Sequence, residues 1–143
     1  MNALKHVAVL TLTALVLVLT GCGGPPLKVY ERDDQYYIDV RQLGEYVSTV
    51  NRLQLLEGKR VVWEIRATGE TAQFGYLSIQ PGDNPAQFSD AYYGGYRTIV
   101  PSTNTFRLEP DHEYVVLAWS GRGWPSKASF RVKTAKLESS HAS

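Results

Sequence analysis

Side chains able to do covalent or acid–base chemistry are scarce in this chain. Of its three histidines, His6 lies in an apolar leader, His141 in a polar tail, and His112 between Asp111 and Glu113. Catalysis by protein groups requires a nucleophile beside a base, a pair of carboxylates, or a set of metal ligands. Glu109, Asp111 and Glu113 do gather around His112, but their spacing follows no known ligand loop, and a solvated turn accounts for them. The sequence contains no G-x-S-x-G, H-E-x-x-H, P-loop or G-x-G-x-x-G pattern. Cys22 is the sole cysteine, which leaves no second thiol for a disulfide or a zinc–thiolate centre. The expectation is a protein that is not an enzyme and carries no metal and no cofactor. Its 15 Lys and Arg nearly balance 14 Asp and Glu, for a net charge of +1. Such a balance supplies no field to draw in nucleic acid.

Groups suited to recognition are better represented. Phe88, Tyr92, Tyr93 and Tyr96 surround the pair Gly94-Gly95, presenting flat apolar rings with polar tips on a glycine-hinged segment. That chemistry stacks on sugars or forms a protein-binding patch. Trp124, next to Pro125, is a second loop aromatic, and Trp119 stands a few residues before it. These six residues form the candidate partner or ligand surface. The same rings have a plainer reading, as side chains packed on the domain's own edge with Trp124 as a plug. Lys127, Arg131 and Lys133 read as a solvated strand face, with weak and salt-dependent attraction for anions.

Such a surface needs a scaffold and a location, and the start of the chain speaks to location. Lys5 precedes an apolar run over residues 7–19, about 20 Å as a helix and short of the roughly 30 Å hydrocarbon core. It reads as the h-region of a signal peptide. Leu19-Thr20-Gly21-Cys22 resembles the lipobox of bacterial lipoproteins and departs from it at no position. The resemblance implies cleavage after residue 21, with Cys22 lipidated and first in the mature chain. A diacylglycerol plus an N-acyl group, palmitate for instance, would make that anchor effectively permanent. Residues 22–26 then form the lipidated cysteine and a tether, Gly23-Gly24-Pro25-Pro26, reaching at most about 14 Å. By the same resemblance Gly23, in place of a retaining aspartate, implies the outer membrane facing the periplasm.

Beyond the tether, short alternating or apolar stretches are separated by turn formers, and long 3.6-residue periodicity is nearly absent. Strands are predicted over residues 60–67, 75–80, 103–108, 113–120 and 128–134, with turn chemistry at 68–70, 81–85, 109–111 and 121–125. An all-β sandwich follows. Leu108-Glu109-Pro110-Asp111-His112-Glu113-Tyr114-Val115-Val116 resembles the L-x-P-x-x-x-Y-x-V corner of fibronectin type III domains, which belong to the Ig-like sandwiches. The resemblance implies that Tyr114 opens strand F with its hydroxyl turned back to the preceding corner. It further implies Trp63 on strand B, Tyr76-Leu77-Ser78-Ile79 as strand C and residues 130–134 as strand G. The match runs from about residue 53 to 134 and departs from the family over 81–102, a long Tyr/Gly-rich connection.

Alternation assigns faces. On the last strand Phe130 and Val132 point inward while Arg131 and Lys133 point out. On strand F, Tyr114, Val116 and Ala118 face the core, yet Val115, Leu117 and Trp119 are equally apolar, so a second cover is required. Two covers are available: a partner, or the extension over residues 27–56. That extension reads as a β-hairpin followed by Leu43, Tyr46, Val47, Val50 and Leu53 at helical spacing, either one short helix or, given Gly44 and the β-branched residues, a strand. The expected organisation is therefore leader 1–21, tether 22–26, extension 27–56, sandwich 57–134 and polar tail 135–143. The functional expectation is a non-catalytic lipoprotein anchored in the membrane that binds other envelope proteins and tethers an envelope complex, a secretion or transport apparatus for instance. The alternative is a lipoprotein that binds glycan or peptidoglycan with its Tyr-rich loop.

Overall fold

The computed structural model describes residues 27–41, 48–69, 72–87, 95–121 and 123–134, and these are all-β. The described residues open with the antiparallel hairpin β1 (Lys28–Arg32) and β2 (Gln35–Asp39), whose turn holds Asp33 and Asp34 at positive φ. Two successive left-handed residues match the twist of a two-residue hairpin, and aspartate tolerates that conformation. Then follow β3 (Ser48–Thr49), β4 (Arg52–Glu57), β5 (Arg60–Ala67), β6 (Gln73–Phe74), β7 (Tyr76–Ile79) and β8 (Gly82–Pro85). The series closes with β9 (Tyr96–Val100), β10 (Thr105–Leu108), β11 (Glu113–Trp119) and β12 (Ser126–Arg131).

A five-stranded antiparallel sheet, β12-β11-β4-β5-β9, is the main layer. A three-stranded sheet, β1-β2-β7, packs on it, and the two-stranded ladders β10-β8 and β3-β6 complete the structure. Alternation built this core as expected on two strands. Tyr114, Val116 and Ala118 are buried on β11, while after Phe130 the chain buries Val132 and exposes Arg131 and Lys133. From the other layer Tyr36, Ile38 and Ile79 join the same core, and Trp63 stacks on Phe106 at a ring distance of 5.0 Å. The Trp63 indole N–H donates to the Ala86 carbonyl at 2.9 Å, so this large ring is buried with its polar atom satisfied.

The corner is present as the sequence implies. The Glu109 backbone N–H donates to the Tyr114 hydroxyl at 2.8 Å, closing the turn that leads into β11. Sheet membership differs from what the fibronectin resemblance implies. A strand B carrying Trp63 would lie in the sheet opposite strand F, whereas β5 and β11 share one sheet with β4 between them, and β7 lies in the other layer.

The segment 27–56 is built into the fold rather than laid over it. Its hairpin completes the second layer by pairing with β7, and β4 is the middle strand of the main sheet. Residues 48–57 are extended apart from Val50 and Asn51, with Val50 and Leu53 buried. The helical spacing of apolar residues arises because β4 buries Leu53, Gln54 and Leu55 in succession, and a continuous apolar run fits a central strand as well as a helix. Leu43, Tyr46 and Val47 lie outside the described residues. Residues 82–85, read as turn, form β8 against β10. There the buried Asn84 supplies the turn chemistry from its side chain, donating to the carbonyls of Gln80 and Gly82 and accepting the Gln80 N–H.

Candidate functional site

Cys22, Phe88, Tyr92 and Tyr93 lie outside the described residues, so the predicted surface is represented by Tyr96, Trp119 and Trp124. The three have different fates. Tyr96 is turned inward: its hydroxyl donates to the Val50 carbonyl at 2.6 Å and its ring meets Phe74 edge-on at 5.7 Å. A phenol engaged at both ends is a structural group. Trp119 is half-buried on the outer face of the main sheet, with the Arg52 guanidinium 4.7 Å above its ring. Trp124 is 80% exposed on the β11–β12 loop.

The two loop regions share one end of the fold. Thr68 N–H donates to the Gly95 carbonyl, Ala67 N–H to that of Asn51, and the Asn51 side-chain amide to that of Gly121. The sites where the Tyr-rich segment and the Trp124 loop join the sheet are thereby tied together. Between them lies a cleft of about 410 Å³ lined by Thr49, Asn51, Ala67, Thr68, Gly69 and Ala72. Gly95 has φ +109 and a Cβ there would stand 3.3 Å from the Thr68 hydroxyl, so glycine is required for the close approach.

The outer face of the main sheet is a second surface. Cross-strand pairing aligns Val115 with Leu56, Leu117 with Gln54 and Trp119 with Arg52, and Leu56 with Val61 beyond. Leu56, Val61, Val115 and Leu117 are each half-exposed. The hairpin β1–β2 does not cover them, since it belongs to the layer on the inner face. Beside this apolar strip lies a polar centre. Glu64 is 4% exposed and accepts hydrogen bonds from Gln54 Nε2 at 2.7 Å, Arg52 Nε at 3.0 Å and Arg66 Nε at 2.6 Å. Burial pushes its carboxyl up, but the donors from Gln54, Arg66 and Arg52 outweigh this and hold it below its ordinary value.

No protein-family model matches this chain, and no curated protein matches it.

The histidine cluster of the sequence disperses in space. His112 Nδ1 contacts Glu57, Glu109 pairs with Arg107, and the Asp111 carboxylate accepts from the Thr134 hydroxyl. Among the described residues no group of three or more His, Cys, Asp or Glu side chains comes together. One surface was absent from the sequence reading. Tyr30 and Tyr37 stack at 5.3 Å, Tyr76 lies 6.1 Å from Tyr37, and Arg41 sits 5.4 Å over Tyr76, all on the outside of the three-stranded sheet. The alternation of β2, with Tyr36 and Ile38 inward, already implied that Tyr37 points out. Its neighbours come from two other strands and could not be read locally.

Proposed function

We propose that this chain is a non-catalytic lipoprotein of the cell envelope, held in the outer membrane by lipid on Cys22, whose β-sandwich binds another envelope protein. The observation that carries the binding half is the apolar strip Leu56, Val61, Val115 and Leu117 on the outer face of the main sheet. An antiparallel sheet with one wet face ordinarily alternates apolar and polar residues. β11 is apolar on both faces, and the described layers use only one of them. A half-exposed apolar centre flanked by Arg52, Arg66 and Lys127 has the make-up of a protein interface, with its polar rim around a less polar middle. Envelope function is supported by the lipobox resemblance.

The glycan reading retains less support, because Tyr96 is committed to the interior. What favours it is the cleft, whose Thr49, Asn51 and Thr68 side chains offer neutral hydrogen-bonding groups.

The test is photocrosslinking in intact envelopes from an unnatural residue placed at 117, with position 78 on the other layer as reference. A specific protein adduct from 117 and none from 78 supports the proposal. Recovery of the uncrosslinked lipoprotein alone from position 117 contradicts it.

A further inference from the structure

The direction in which the domain stands on its tether can be read from its contacts. The Tyr36 hydroxyl donates to the Arg131 carbonyl at 3.2 Å and accepts the Lys133 N–H at 2.9 Å. Glu31 pairs with the Lys133 ammonium at 2.7 Å. These contacts bring the β1–β2 turn to the C-terminal end of β12. At the other end of the same sheet, Phe74 packs on Tyr96 at the start of β9, and its neighbour Gln73 pairs with Thr49, which leads into β4. Lys28, Asp39 and Tyr76 face one another across β1, β2 and β7 at that level. The first strand therefore begins at the end of the fold where β11 runs out at Trp119 and the Trp124 loop projects.

We infer that this end rests on the bilayer, with Trp124 and Tyr76 in the headgroup layer. The inference rests on the anchored reading of Cys22 and adds an orientation to it. A tether over 23–26 reaches at most about 14 Å, and the strand it feeds starts at Lys28, so this end of the domain is held close to the lipid surface. The exposed side chains fit that environment. Trp124 is 80% and Tyr76 54% exposed, and amphipathic rings of these two types concentrate at membrane–water interfaces. Among the described residues, Lys28, Arg41, Arg52, Arg66 and Arg97 stand at the same end against Asp39 and Glu64, a basic excess that an anionic headgroup layer attracts. The apolar strip at Val115 and Leu117 then stands sideways to the membrane and stays open to a partner.

The test uses the full-length precursor, processed and lipidated in cells, and reconstituted into vesicles of phosphatidylethanolamine with phosphatidylglycerol. Acylation consumes the native thiol, so Trp124→Cys, Tyr76→Cys and Glu113→Cys each introduce one labelling site for a fluorophore, and brominated lipid is the quencher. Position 113 lies at the other end of β11, about 20 Å away. Quenching at 124 and 76 with none at 113 is the expected result. Equal quenching at the three positions, or none at 124 and 76, in protein whose mass includes the acyl chains overturns the orientation and leaves the anchor standing. A mass without acyl chains overturns the anchor and the orientation together.

Discussion

Removing one oxygen from the corner tests whether the fold is held as described. Tyr114→Phe keeps the ring, which is 1% exposed and stacks on Phe130 at 5.7 Å, and deletes only the hydroxyl, which accepts the Glu109 N–H at 2.8 Å and makes a long, weak donation to the Glu57 carboxylate at 3.5 Å. Packing is conserved, so the cost is that of an orphaned backbone donor, about 1–3 kcal/mol when the group is fully buried. Glu109 is half-exposed, and partial access to water puts the expected loss in the lower half, about 1–2 kcal/mol. For a domain of this size that corresponds to a fall in Tm of roughly 4–8 °C. Urea titration should show a lower midpoint with an unchanged slope, because the surface exposed on unfolding is the same. Tyr37→Phe is the internal reference: its hydroxyl reaches only Gln35 at 3.3 Å on the outside of the sheet, and its loss should cost less than about 0.5 kcal/mol. Equal, small losses for the two variants would refute the corner as a stabilising device.

Other outcomes follow from named contacts. Trp63→Ala should cost about 3–5 kcal/mol by urea titration, since it removes the buried stack on Phe106 and one of the two donors to the Ala86 carbonyl, leaving only the Thr98 hydroxyl there. Acid should destabilise the domain. The hydrogen bonds from Arg41 to Asp39, from His112 and then Arg60 to Glu57, and from Gln54, Arg66 and Arg52 against burial at Glu64 all hold these carboxyls below their ordinary values of 3.8 and 4.5. Folded values below unfolded ones give stability that is fully present above pH 5 and is lost as the pH falls through the folded values, so the urea midpoint should drop between about pH 5 and pH 2. Glu64→Gln should flatten that drop. Leu117→Asp, at a half-exposed position, should change stability by less than about 1 kcal/mol while abolishing the crosslinked adduct obtained from neighbouring position 115.

What the sequence disclosed was local. The corner spans Leu108 to Val116, and its hydrogen bond joins residues five apart, so the residue types specify it without reference to the rest of the chain. The hairpin β1–β2 was equally legible, because Asp33-Asp34 sits between two alternating stretches. Sheet membership was not. Whether β4 lies beside β11 depends on pairing Glu57 with Tyr114, a contact between distant segments that no local pattern encodes. β4 also buries residues on both faces, which erased the two-residue period that would have marked it as a strand. The candidate surface was partly legible for the same reason. Trp124 stands out beside Pro125 in a turn-rich stretch, whereas the inward turn of Tyr96 is set by Val50 and Phe74, and the row Tyr30, Tyr37 and Tyr76 exists only once three strands align.

The most direct test of the central claim is the intact mass of the mature protein purified from envelopes. The account predicts a chain that begins at residue 22 and carries the added mass of a diacylglycerol and an N-linked acyl group. A polypeptide that retains residues 1–21 and bears no lipid would contradict it.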